Sequence, residues 1–487
     1  MPQDPVSLLR RHLGYPGFRP GQEELVRAVL AGRDALGVLP TGGGKSVCYQ
    51  VPALALEGLS LVVTPLVSLM EDQVGRARAI GLRAAHLSAT QSAEERSRAL
   101  AAATAGELDL LFVSPERLDL LAFREFLKGV DVRFLAVDEA HCISQWGHDF
   151  RPAYRRIGML RGFLSCPVLA LTATATPAVR TDIMRSLSLS DPLVVVKSFD
   201  RPNLSWSVLP GGAPRERAAR VYRVLRRQGG CSIVYAPTRR SVEAVRDSLA
   251  GWGLRTEAYH AGLPGEERSR VQAAFMNDEC RVVVATNAFG MGIDKADVRL
   301  VAHVQLPGTL EAYYQEAGRA GRDGAPSSCV AFHAPSDARL ALRFIDRTHP
   351  PVRLLRRVHR RLRRKRDGAG VVSFVDPELC RALGVGAGGW PEVGPLAALE
   401  RLGALRRLED AGTDGEGAGS LCHRAGVRDR VDLSVAARLR RLARGKVAAV
   451  LRYAGSRGCR RRALLGYFGE RAPGGCGSCD RCAAARA

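Results

Sequence analysis

A chain of 487 residues with Lys+Arg 72 against Asp+Glu 49 carries a formal charge of +23 and is too long for one ordinary core, so about three or four folded units are expected. Hydrophobic residues at 46% and charged residues at 25% exclude wholesale disorder. No run of about 18 apolar residues is present to span a bilayer, and the N-terminal "MPQDPVSLLRRHLGYPGF" lacks the apolar core of a secretory leader. A soluble cytoplasmic protein with no membrane partner is expected. Its basic excess either marks a polyanionic partner or reflects an arginine-rich composition alone.

In chain order, short apolar runs alternate with helical patterns from Leu36 to about Thr176: "ALGVLP", "LSLVVTP", "LDLLFVSP", "VRFLAVDEA" and "PVLALTATAT". That alternation predicts a parallel sheet flanked by helices. After the turn-rich "LPGGAP" (209–214) a second series follows: "CSIVYAPT", "RTEAYHAG", "CRVVVATNAFG", "RLVAHVQLP" and "SCVAFHAP". Two α/β domains in tandem are therefore expected, with a cleft between them. Past about Pro350 such runs stop. "RLLRRVHRRLRRKR" (353–366) reads as a cationic amphipathic helix, with Leu355, Val358 and Leu362 at helical spacing. Short helices and a polar "AGTDGEGAGS" (411–420) then suit either a winged helix, whose second helix and wing meet DNA, or a plain helical spacer. The expected division is 1–208, 209–345, 346–438 and 439–487.

Three local patterns carry chemistry. "LPTGGGKSVCYQ" follows an apolar run and opens a helix, a setting in which backbone N–H groups cradle phosphates. Thr41, Gly42, Gly43 and Gly44 form the turn, Lys45 reaches the β and γ phosphates, and Ser46 reaches magnesium. Leu39 stands where the fuller glycine pattern has Gly. "LAVDEAH" ends another strand, where Asp138 binds magnesium and Glu139 polarises the attacking water. In the second half "YYQEAGRAGRDG" (313–324) offers Arg319 and Arg322, which at a spacing of three share a helical face and reach across as arginine fingers.

Directly after the acids, "QWGHDFRP" places Trp146, His148, Phe150 and Arg151 in a polar segment. Such residues either stack on bases and pair with phosphates, at about 1 to 3 kcal/mol per stacked base, or bury the aromatics against the sheet. Of twelve cysteines, eight are scattered singly, whereas Cys459, Cys476, Cys479 and Cys482 end the chain with two successive CxxC spacings. Four thiolates at that spacing suit a structural tetrahedral zinc, with an iron–sulfur cluster as the chemical competitor.

With these pieces in order, the chain resembles the RecQ helicases of superfamily 2, over residues 1 to about 345 and again from about 440. The resemblance is carried by "GYPGFRPGQEELV", "TGGGKS", "TPLVSLMEDQV", "SPERL", "DEAHCISQWGHDFRPAY", "LTATAT", "IVYAPTRRSVE", "VVVATNAFGMGIDKADVR" and "YYQEAGRAGRDG". It implies two tandem RecA-like P-loop domains, a helical region and a C-terminal zinc subdomain. It also implies ATP, Mg2+ and structural Zn2+ as cofactors and translocation on single-stranded DNA from 3′ to 5′. Unwinding of duplex or branched DNA in repair and recombination follows, in a nucleoid-associated setting with single-stranded DNA-binding protein as a partner. Residue by residue, it assigns adenine recognition to Tyr15, Arg19 and Gln22, adds Gln315 to the catalytic set, and makes Trp146 to Arg151 the loop that senses DNA.

Many bacterial members place a winged helix and a helical accessory domain after the zinc site, whereas this chain ends five residues beyond Cys482. The insertion before the zinc cysteines is expected to hold a relocated equivalent of the winged helix. Two other classes fit part of the pattern: an RNA helicase of the wider superfamily, and a nucleic-acid-binding scaffold with a silent ATPase.

Overall fold

The computed structural model describes residues 4–65, 67–88, 91–147, 149–290, 295–374, 393–408, 423–472 and 474–485. These form two compact units, Met1–Ala334 with Tyr453–Ala487, and Pro335–Arg452.

The first unit holds two parallel sheets. One contains β1 (Ala35–Val38), β2 (Leu59–Val63), β3 (Ala84–Leu87), β4 (Leu110–Val113), β5 (Val132–Val137), β6 (Val168–Thr172) and β7 (Leu193–Val196) in the order β3-β4-β2-β5-β6-β1-β7. Its central strands β2, β5 and β6 are buried along nearly their whole length because both faces are covered, Arg133 of β5 being the exposed exception. Val62, Phe112, Phe134 and Leu169 sit in one core cluster. The other sheet contains β8 (Leu204–Pro210), β9 (Cys231–Tyr235), β10 (Thr256–Tyr259), β11 (Val282–Ala285), β12 (Val298–His303) and β13 (Ser327–His333) in the order β10-β11-β9-β12-β13-β8. Val234, Val284, Leu300 and Phe332 share its core. Since β8 starts at Leu204 and pairs with β13, the second sheet begins before the expected division at 208/209.

Residues 453–485 pack onto the linker joining the two sheets. The Phe199 and Phe468 rings stack at 4.4 Å, and Glu470 accepts from Ser198 Oγ (2.5 Å) and Phe199 N (2.8 Å). Arg461 pairs with Asp200.

The second unit, where strands were not expected, contains a small antiparallel sheet. Its strands β14 (Val371–Phe374), β15 (Leu405–Arg407) and β16 (His423–Val427) run in the order β14-β16-β15. The helices Val352–Lys365 and Pro395–Arg401 supply Leu355, Val358, Leu362, Leu396 and Leu399 to a core shared with Val372, Leu405 and Val427. The basic amphipathic helix thus forms as its spacing predicts. The expected wing, 411–420, lies outside the described residues. Among the described residues no helix is long and apolar enough to cross a membrane.

Candidate functional site

The phosphate-type loop begins where β1 ends and closes at the helix Val47–Ala55. Gly42 (φ 80°) and Gly44 (φ 69°) are left-handed, which glycine adopts without the steric penalty of a side chain. Leu39, the departure from the glycine pattern, is 1% exposed and belongs to the sheet core, so it serves packing. The segment ahead of β1 is tied onto this loop. Gln22 donates to Gly43 O (3.0 Å) and Gly44 O (2.9 Å) and accepts from Arg19 N (2.8 Å), while the Arg19 guanidinium donates to Gly42 O. Tyr15 stays 49% exposed, leaving its ring face open for stacking. Thr41 Oγ1 is buried with no hydrogen-bond partner among the described residues, as suits a hydroxyl awaiting a polar ligand.

β5 delivers the acids to the same place. Glu139 is left-handed (φ 46°), a strained conformation for a residue with a side chain. Its carboxylate lies 3.9 Å from Lys45 Nζ and 3.2 Å from His141 Nδ1. His141, 2% exposed, is also 2.9 Å from Thr172 Oγ1 at the end of β6. Asp138 keeps a partly exposed surface but is densely surrounded. Desolvation, reinforced by the Glu139 charge and opposed by Lys45, pushes its carboxyl up to about 6. Two carboxylates facing one ammonium beside Ser46 form a hard oxygen donor set that fits magnesium with a nucleotide.

The segment after the acids folds back on them. Trp146 N donates to Ser144 Oγ (3.1 Å), Ser144 Oγ donates to Asp182 (2.6 Å), and Arg151 N donates to Cys142 O (2.9 Å). Tyr154 OH donates to Asp138 O (3.1 Å). Trp146 is 42% exposed and Phe150 half-buried, so the Trp146 ring is not a core residue. The Arg151 guanidinium donates to Asp149 (3.1 Å) and Pro65 O (2.8 Å), bonds that brace the loop from inside. His148 lies outside the described residues.

From the second sheet, the turn after the helix Leu310–Ala317 approaches the phosphate loop. A Cβ on Gly318 would stand 3.4 Å from Thr41 Cβ, and one on Gly42 would stand 3.5 Å from Arg322 Cγ. Arg319 and Arg322 do not share a helical face, because Gly318 caps the helix and both arginines lie in the following turn. Arg319 is 6% exposed and donates to Gly290 O, whereas Arg322 lies along the loop. Gln315 is on the helix itself, part-exposed.

Some functional side chains escape the sequence reading. Arg201, in the linker, donates to Gly318 O (3.1 Å), Ala320 O (2.9 Å) and Gly321 O (2.9 Å), fixing the turn that carries both arginines. Nothing local in "SFDRPN" marks that role. The position of His141 behind the paired acids was a usable cue for its contact with Glu139.

The four C-terminal cysteines converge, with all sulfurs within 4.8 Å of one another. Cys459 to Cys479 is 3.9 Å and Cys476 to Cys482 is 4.0 Å. Those separations are about twice a disulfide bond, and close to the roughly 3.8 Å edge of a tetrahedron with 2.3 Å metal–sulfur bonds.

Residues 19–182 match the DEAD/DEAH box helicase family, 216–324 the helicase conserved C-terminal domain, and 425–483 the RecQ zinc-binding family. The chain is 47% identical over 336 residues to the ATP-dependent DNA helicase RecQ of Pasteurella multocida, covering 69% of this chain and 53% of that protein. To the probable ATP-dependent DNA helicase RecS of Bacillus subtilis it is 42% identical over 341 residues, 69% of this chain and 68% of that one. It spans little more than half the length of the RecQ relatives from Pasteurella multocida and Bacillus subtilis. In fold it is similar to the DUF1998 helicase MrfA bound to DNA, with TM-score 0.58 and 18% identity over 88% of this chain and 64% of that one. The DEAD-box helicase Mss116 bound to ssRNA gives TM-score 0.58 and 16% identity over 71% of this chain and 75% of that one. On sequence, fold and the cysteine cluster together, the chain belongs to the RecQ family of helicases.

Proposed function

We propose that this chain is an ATP-dependent DNA helicase that travels 3′ to 5′ along a single strand and separates duplex or branched DNA. The observation that supports the reading is the approach of Gly318 to Thr41 and of Arg322 to Gly42, groups carried by two separate sheets. In this reading the loop N–H groups and Lys45 hold the phosphates, while Tyr15, Arg19 and Gln22 hold the base. Glu139, oriented by His141, takes the proton of the attacking water, and Arg322 meets the charge that develops on the transferred phosphoryl group. Magnesium, held through Ser46 and Asp138, would supply positive charge to the phosphate oxygens. Zinc is the proposed ion for the four cysteines, and the four-part division stated above, with its first boundary moved ahead of β8, is the proposed domain plan.

In this reading the same geometry couples the site to DNA. The 144–151 loop is bonded to Cys142 and Asp182, and Tyr154 reaches the backbone of Asp138, so a strand stacking on Trp146 pulls on the acids through a few hydrogen bonds. Trp146→Ala is expected to fold normally, because the ring is exposed. Basal ATP hydrolysis should persist, while stimulation by a single-stranded DNA oligonucleotide falls about fivefold or more, as loss of one stacked base at about 1 to 3 kcal/mol implies. Turnover measured with DNA, with RNA and with neither tests the whole reading. Equal rates in all three would remove it, and stronger stimulation by RNA would favour an RNA helicase.

A further inference from the structure

The charge excess is unevenly placed. Residues 335–452 carry 25 Lys and Arg against 13 Asp and Glu, so about half of the chain's +23 lies in the second unit. The helix Val352–Lys365 concentrates it, with eight basic residues and no acid. Leu355, Val358, His359 and Leu362 are buried, and His359 is pinned at 2.8 Å to Arg428 O. Opposite them Arg353, Arg357, Arg360 and Arg364 recur at helical spacing as an exposed straight row, roughly 16 Å long at 1.5 Å per residue. None of the four makes an ion pair among the described residues. Among the described residues, Asp429 pairs instead with Arg363 (3.1 Å) and Arg366 (2.7 Å), and Asp367 accepts from Ala369 N (3.0 Å) and Val371 N (2.8 Å).

Such a row is unfavourable for the helix alone. Like charges three and four residues apart repel, and Arg353 sits at the positive end of the helix dipole with no acid in the first turn. A regular polyanion removes that repulsion. The helix contains no Phe, Tyr or Trp, so it offers no platform for the stacked bases by which single strands are gripped. A rigid rail of guanidinium groups fits instead the evenly spaced phosphates of a duplex, which presents one charge per about 1.7 Å of axis.

We infer that the outer face of Val352–Lys365 is a sequence-independent docking surface for duplex DNA, separate from the loop at 144–151 that meets the single strand. The inference takes its partner from the proposed helicase function, but its main readout, duplex binding, needs no ATP turnover. In the full chain, the fourfold variant Arg353→Gln, Arg357→Gln, Arg360→Gln, Arg364→Gln is compared with the parent and with the fourfold Arg→Lys variant. Binding to a blunt duplex is followed by fluorescence anisotropy from about 50 to 200 mM salt, the range in which counterion release is read.

Once these four guanidinium groups no longer neutralise phosphates, the slope of log affinity against log salt should fall by about 3 to 4, and duplex affinity by about tenfold or more. The Lys variant should keep the parental slope, and the single-strand concentration that half-saturates ATPase stimulation should move less than about twofold in both. A parental slope in the Gln variant would leave the row as a solvated face or a site for an acidic protein, and would overturn the inference. Equal weakening of duplex and single strand would overturn it too, by making the row part of the motor's own track. So would a Lys variant that binds as weakly as the Gln variant. Failure of the helicase reading shows separately, as a parent whose turnover no polynucleotide stimulates.

Discussion

Arg322→Ala is expected to lower DNA-stimulated ATP turnover by about 10³ or more while nucleotide affinity changes only a few-fold. The reason is where the side chain stands. It leaves the second sheet from the turn that Arg201 holds through three carbonyls, and its stem runs along Gly42 of the phosphate loop on the first. A charge delivered from the opposite lobe acts mostly when the lobes close, so its loss falls on the chemical step rather than on binding. Arg319→Ala should behave differently. That guanidinium is buried and committed to Gly290 O, so truncation leaves a buried carbonyl without its donor and lowers stability as well as turnover. Steady-state turnover, fluorescent-nucleotide affinity and melting, measured on both variants, separate the two roles. An Arg322→Ala protein retaining more than about a tenth of parental turnover would refute the finger assignment.

The contrast between these arginines marks how far sequence could be read. "GRAGRDG" shows two arginines three apart, but the glycine at 318 ends the helix, and which guanidinium faces inward depends on Gly290, 29 residues upstream. Arg151 is similar, since its partner Pro65 O is 86 residues away. Lys45, Ser46, Asp138 and Glu139 could be located in the sequence because each sits in a local signature: one turn, one helix start, one strand end. The same logic sorts the strands. Interior strands such as β2 and β4 are buried on both faces and read as mostly apolar runs. The ones that escape notice, β3, β7 and β8, are all sheet edges, where β7 and β8 are only partly buried and β3 is four residues of "AAHL". The small sheet of the second unit fails for a related reason, since "LRR" and "HRAGV" are too short and polar to show a period.

Cys479→Ser is expected to release the metal and to loosen the linker between the lobes. Cys479 is wholly buried, caps the helix Asp480–Ala484 by accepting from Cys482 N (3.4 Å), and faces Cys459. Beside it, Asp480 accepts from the buried Arg460 (3.0 Å) and from Val208 N of β8 (3.3 Å). Arg460 in turn donates to Tyr453 O and Ala454 O, and Arg461 reaches Asp200. A metal held by the four cysteines would therefore fix a short segment that also grips Ser198, Phe199, Asp200 and β8, the path along which one lobe is joined to the next. Structural zinc contributes roughly 10 kcal/mol or more to folding such a segment, far more than these bonds supply without it. The variant should retain almost no zinc, become susceptible to trypsin at the exposed Arg471, and lose DNA-stimulated turnover more than nucleotide affinity, because the lobes no longer close in register. Full metal content together with parental trypsin resistance would show that the cysteines hold nothing the fold depends on.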